Sequence, residues 1–111
     1  MLYECVNVID VWNIMSACIN VHITWKHIVI GYYQDLNDIS SDINLICTII
    51  AYSIFKENNK CKWNETVYRK CNVLKTIVKD LKYLKHIQMY MTKKIFKTIN
   101  IDHIINCITN N

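Results

Sequence analysis

"WNETVYRKCNVLKTIVKDLKYL", residues 63–84, carries the clearest periodic signal in the chain. Apolar residues recur at Trp63, Val67, Cys71, Leu74, Val78, Leu81 and Leu84, in steps of three and four. Such steps return to one side of a helix, whereas a half-buried strand alternates at every second residue. Lys75, Lys79, Lys82 and Lys85 keep the same step on another face. An apolar stripe backed by a basic one describes a helix with one side in a core and the other in water. The pattern continues through Ile87, Met91 and Ile95 without Pro or Gly. One helix over 64–98 would be about three times the usual length, so a bend is expected near Asp80–His86.

Upstream, Cys5, Val8, Trp12, Met15, Ile19 and Ile23 trace another helical face. This predicts a helix over about 4–30, broken near residue 20, with Gly31 in the left-handed position that ends many helices. "YYQDLNDISSD" supplies punctuation, because Asp38, Ser40 and Ser41 can each accept from exposed N–H groups at a helix start. A second helix is expected over about 41–57, burying Ile43, Ile46, Cys47, Ile50 and Ile54. "KENNKCK" reads as the solvated loop that ends it. Near the C-terminus, Asn100 or Asp102 can cap a short last helix reaching about Ile108.

The 111 residues suffice for one domain with one core over 1–111. With 52% hydrophobic residues, the chain lies above the range of disordered sequences. One Gly and no Pro leave no room for a Gly-rich phosphate loop, a dinucleotide turn or a nucleophile elbow. The expected fold is therefore all-α, a compact single-domain helical bundle.

Charge is uneven. Residues 1–55 hold one Lys against five acids, and residues 56–111 hold twelve Lys or Arg against four. Internal complementarity accounts for this more simply than an anionic partner does. The N-terminus lacks a basic leader and meets Glu4 and Asp10 early, so no secretory signal is expected. The charge-free runs Val11–Trp25 and Ile43–Phe55 fall short of the roughly 18–20 residues of a membrane span. A cytosolic location follows as the expectation. There the six cysteines, Cys5, Cys18, Cys47, Cys61, Cys71 and Cys107, would be free thiols.

Few residues offer chemistry. His103 and Cys107 have metal-ligand spacing but no second pair, and His22 and His27 do not face each other on a helix. No cysteine has a local base, and the acids are few and scattered. No catalytic, cofactor-binding or metal-binding residue is assigned, and an enzyme is not expected. The lysine row beside Tyr68, Tyr83 and Tyr90 could meet phosphates, but a solvated helix face explains it more simply, so nucleic acid is not the expected partner. Asn64-Glu65-Thr66 forms a glycosylation sequon, read here as a helix start.

One family resemblance is visible. The run His22-Ile23-Thr24-Trp25-Lys26, late in an apolar first helix, resembles the first-helix signature of the poxvirus Bcl-2-like proteins, a Tyr-Ile-x-Trp-Arg type of run. His22 stands for the usual Tyr and Lys26 for the Arg. "GYYQDLNDISSDIN" is similar to a Tyr-Tyr-containing segment of that family. "LICTIIAYSIFKE" followed by "KWNETVYRKCNVLKTIVKDL" resembles its central buried helix and the amphipathic helix after it. Ile, Asn and Lys supply 45 of the 111 residues, a bias towards A/T-rich codons that agrees with a poxvirus source. The chain is shorter than typical members, and the interval from Trp25 to about residue 43 is compressed. Either a helix of the usual set is missing or Trp25 is not the equivalent residue.

The resemblance implies a non-enzymatic viral immunomodulator in the host cytoplasm. It would bind host signalling proteins or BH3-containing pro-apoptotic proteins and suppress NF-κB or interferon signalling or apoptosis. The short chain favours outer helix faces over an open groove. No family binding residue has a secure match, so partner-binding residues are left unassigned and a homodimer is left open. The rival reading is a secreted short-chain four-helix cytokine-like protein. Six cysteines and the sequon suit it, with Cys5 and Cys107 placed to tie the terminal helices. On either reading, Trp25 and its neighbours are interior packing.

Overall fold

A computed structural model of the chain describes residues 6–23, 38–64, 67–90, 95–96 and 99–110. Four helices account for 85% of the described residues, and no strand occurs among them. They are α1 (Val6–Ile19), α2 (Asp38–Asn64), α3 (Lys70–Tyr90) and α4 (Ile101–Thr109). The radius of gyration is 14.0 Å, close to the roughly 13 Å of a compact chain of this length. The all-α expectation therefore holds.

α1 buries Val8, Val11, Trp12, Met15 and Cys18, and the expected break near residue 20 is present. Asn20 takes φ 55°, in the left-handed region. Its N–H donates to the Ala17 carbonyl and that of Val21 to the Ser16 carbonyl, the paired bonds of a Schellman ending. Asn tolerates this conformation better than most residues with a Cβ. The Ile23 N–H then donates to Ser16 Oγ at 3.3 Å, which brings Ile23 back into the core. The remainder of the expected first helix, with Trp25, His27 and Gly31, lies outside the described residues.

α2 begins three residues before the expected start and ends seven after the expected finish. Ile43, Ile46, Cys47, Ile50 and Ile54 are buried as expected. The segment read as a solvated loop, "KENNKCK", is helical instead. Asn is only a mildly poor helix former, and Glu57 points inward, 6% exposed, with partners beyond the helix. The segment expected as a central, wrapped helix buries one side only, since Tyr52 and Phe55 face solvent. The helix that packs against all three others is α3.

Trp63 marks a second correction. It lies in the last turn of α2, 84% exposed, and does not open the apolar face of α3. Val67 and Cys71 are exposed as well. Residues 67–69 are not helical and helix resumes at Lys70, which resets the phase of the repeat. The buried face of α3 is Val73, Ile77 and Leu81, flanked by Leu74, Val78 and Leu84. The sequon is not a helix start either, because Asn64 closes α2. α3 runs through Asp80–His86 without interruption as one helix to Tyr90.

Beyond α3, Gln88 Oε1 accepts from the N–H groups of Ile95 and Phe96, at 2.9 and 3.3 Å. Asp42, 1% exposed on α2, accepts from the Ile99 N–H at 3.0 Å. That bond ties the start of α2 to the entry of α4. Asn100 caps α4 by accepting from the His103 N–H at 3.3 Å, one of the two caps expected. Ile101, Ile104, Ile105 and Ile108 then complete the core.

Candidate functional site

The inward face of α2 is fixed by its isoleucines, and that fixes what faces out. Tyr52, Phe55 and Trp63 fall off the Ile43–Ile54 row, and all three are exposed. Tyr52, Lys56 and Lys60 lie four residues apart, and Trp63 follows three later, so they share one side of the helix. Lys56 Nζ sits 4.6 Å from the centre of the Tyr52 ring, a cation–π contact. Aromatic residues clustered on the outside of a packed helix contribute little to the core. Such patches commonly mark contact surfaces.

Beside this ridge, a cleft of about 300 Å³ runs between α2 and α3, lined by Lys56, Glu57, Lys60, Asn72, Lys75 and Thr76. Glu57 forms its floor. One carboxylate oxygen accepts from the Arg69 N–H at 3.4 Å and from Asn72 Nδ2 at 3.1 Å. The carboxylate therefore sits at the positive end of α3 and satisfies a donor that the helix leaves unpaired. The Thr76 hydroxyl donates to the Asn72 carbonyl within the same turn. A second depression, about 400 Å³, lies between α3 and α4 and shares Lys75 with the first. Its apolar lining comes from Leu74, Val78 and Ile108, with Lys82 at the rim.

The residues weighed for metal or thiol chemistry are dispersed. His103 is exposed on α4, Cys107 is half-buried on the same helix, and His22 is exposed after α1. Among the described residues, no group of three His, Cys, Asp or Glu is placed to hold a metal ion. Cys18, Cys47, Cys61, Cys71 and Cys107 are unbridged, and Cys5 lies outside the described residues. Cys107 meets Cys18 of α1. Burial, together with the Cys107 hydrogen bond and charge, pushes the Cys18 thiol up to about 12. Burial alone raises Cys47 to about 11. Both thiols are thus held protonated and unreactive at neutral pH.

No described helix is long and apolar enough to cross a membrane. No protein-family model matches the chain, and no curated protein or solved structure matches it either. The exposed ridge of Tyr52, Phe55 and Trp63 was not assigned from sequence. Its signal was present, since Tyr52 and Phe55 break the isoleucine spacing.

Proposed function

We propose that this chain is a non-enzymatic protein-binding module that docks a partner on the outer face of α2. The observation that carries this reading is the row Tyr52, Phe55 and Trp63, exposed on a helix whose opposite side is sealed in the core. Large rings held on a rigid helix lose little entropy on binding and dominate many interfaces. The resemblance of the 22–26 run and the segments after it to poxvirus Bcl-2-like proteins supplies the partner class. The partner is a host signalling protein or a BH3-containing pro-apoptotic protein. The outcome is suppression of NF-κB or interferon signalling or of apoptosis in the host cytoplasm. An outer face suits a short chain whose second helix is only half-buried.

The test uses the tagged full chain in transfected cells. Recovered partners are identified, and NF-κB, interferon and cell-death reporters are read in parallel. The reading expects a signalling or death-pathway partner, one reporter suppressed, and both effects lost in the Phe55→Ala/Trp63→Ala double variant with its helical content unchanged. Recovery of no such partner, or an effect that survives the double variant, overturns it. The secreted cytokine-like reading draws on one contact, that of Cys18 with Cys107 across the terminal helices of the described fold. Thiol titration of the protein from its natural compartment separates the two. Bridged cysteines favour secretion and free thiols favour the host interior.

A further inference from the structure

Three lysines line one cleft and a single carboxylate faces them. Lys56 and Lys60 stand one turn apart on α2, and Lys75 reaches in from α3. Among the described residues the ion pairs are Lys70 with Asp10 and Lys85 with Asp102, so none of the three cleft lysines has a carboxylate partner. All three are exposed. One carboxylate cannot balance three lysines, so the cleft keeps a surplus of positive charge, and one Glu57 oxygen is already turned to Arg69 and Asn72.

The chemistry of the lining separates the anions that could bind. A phosphate group usually seats on the free N–H groups of a helix start. Here Glu57 already occupies the start of α3. A phosphate would meet only ammonium groups, with no arginine fork to grip it. A nucleobase needs a ring to stack on, and none of the side chains that line the cleft carries one. Separate point charges on two helices, next to an exposed Trp, suit a chain of spaced carboxylates that also carries apolar side chains. Resting on the docking face proposed above, we infer that the Lys56–Lys60–Lys75 cleft receives an acidic segment of the partner protein, whose Asp or Glu side chains face the lysines while an apolar side chain covers Trp63.

The probe is a labelled synthetic peptide alternating Glu and Leu, titrated against the full chain by fluorescence anisotropy at physiological salt. Lys56→Glu, Lys60→Glu and Lys75→Glu are measured singly and together, with Lys82→Glu as a charge control outside the cleft. Each cleft reversal is expected to weaken binding by about two- to fivefold, and all three together by roughly tenfold or more. Lys82→Glu should change it by less than about twofold, because screening limits its reach. No peptide binding by the wild type, or equal binding by the triple variant, overturns the inference. So does displacement of the peptide by an equal concentration of pyrophosphate, which would mark a phosphate site. Tighter binding of a single-stranded RNA, sensitive to the same reversals, overturns it in favour of nucleic acid. Partner recovery keeps the two proposals apart. If Phe55→Ala/Trp63→Ala abolishes recovery and the lysine reversals leave it intact, the acidic-segment inference fails and the docking face stands. If neither set changes recovery, the docking face itself fails.

Discussion

Replacing Glu57 by Gln should move stability and ligand affinity in opposite directions. Glu57 is buried and accepts two bonds that fix the start of α3, from the Arg69 N–H and from Asn72 Nδ2. A Gln side chain can still accept there, but it loses the charge that favours a helix N-terminus, worth about 0.3–1 kcal/mol. Its bonds also fall from the charged class, at about 1.5–3 kcal/mol, towards the neutral one near 1 kcal/mol. The expected loss is about 1–2 kcal/mol for Glu57→Gln and about 2–4 kcal/mol for Glu57→Ala, which leaves the Asn72 amide and the Arg69 N–H unpaired. On a domain near this size that corresponds to roughly 5–10 °C in Tm for the Gln variant. Glu57 also lines the lysine cleft. Unit charges a few ångströms apart in water interact by about 1 kcal/mol, so its removal should tighten the Glu/Leu peptide about two- to fivefold. Thermal unfolding followed by circular dichroism reads the first effect, and anisotropy below the lowered Tm reads the second. A Gln variant as stable as the wild type would refute the capping role. A stable, folded variant whose peptide affinity fell would refute the electrostatic account of the cleft.

Three further outcomes test the fold. Ile77→Ala empties a fully buried position on α3 and should cost about 2–5 kcal/mol in denaturant unfolding with the m-value unchanged. Asn100→Ala removes the α4 cap and should cost about 0.5–2 kcal/mol, while Asn100→Asp should stay close to wild type and restore exchange protection at the His103 amide. In alkali, the buried Cys47 thiol, raised from 9.0 to about 11, stays protonated in the folded chain after the unfolded chain has ionised. The unfolded state then binds fewer protons, so stability is fully retained below about pH 9 and falls as pH climbs towards 11. About 3 kcal/mol rides on this residue, and Cys47→Ala should flatten that part of the alkaline slope.

The sequence carried the information that lies within one turn of each residue. A break near residue 20 and a cap at Asn100 were readable because the bonds at both places span only three to five residues, although the left-handed residue was expected at Gly31 and falls at Asn20. The inward row Ile43–Ile54 was readable for the same reason. The end of α2 was not, because what keeps Glu57 inside the fold comes from Arg69 and Asn72, twelve and fifteen residues on. Trp63 was misplaced by a coincidence of spacing. It lies four residues before Val67 and eight before Cys71, yet a non-helical stretch separates the two helices and the repeat does not carry across it. The predicted face of α3 therefore kept Leu81 and the flanking Leu74, Val78 and Leu84, but started on the exposed Trp63, Val67 and Cys71 and missed Val73 and Ile77. The cleft was unreadable on similar grounds, since Lys75 joins Lys56 and Lys60 only once α2 and α3 pack.

The position of α3 bears on how the molecule can bind. Because α3 touches every other helix, a groove opened along it would break packing with α1, α2 and α4 together. A domain of this size has total stability of roughly 5–15 kcal/mol, and exposing even two residues such as Ile77 and Leu81 would use up a large part of it. The outer face of α2 carries no such cost. Tyr52, Phe55 and Trp63 are already in water, so covering them gains apolar burial without unpacking anything. The same separation makes the surface genetically clean. Substitutions there should alter binding while leaving unfolding nearly unchanged, because exposed positions away from caps and networks shift stability by only about 0.5 kcal/mol. A Trp63→Ala variant that unfolded several degrees early would mean that the ring is packed in solution, and the docking face would then have to lie elsewhere.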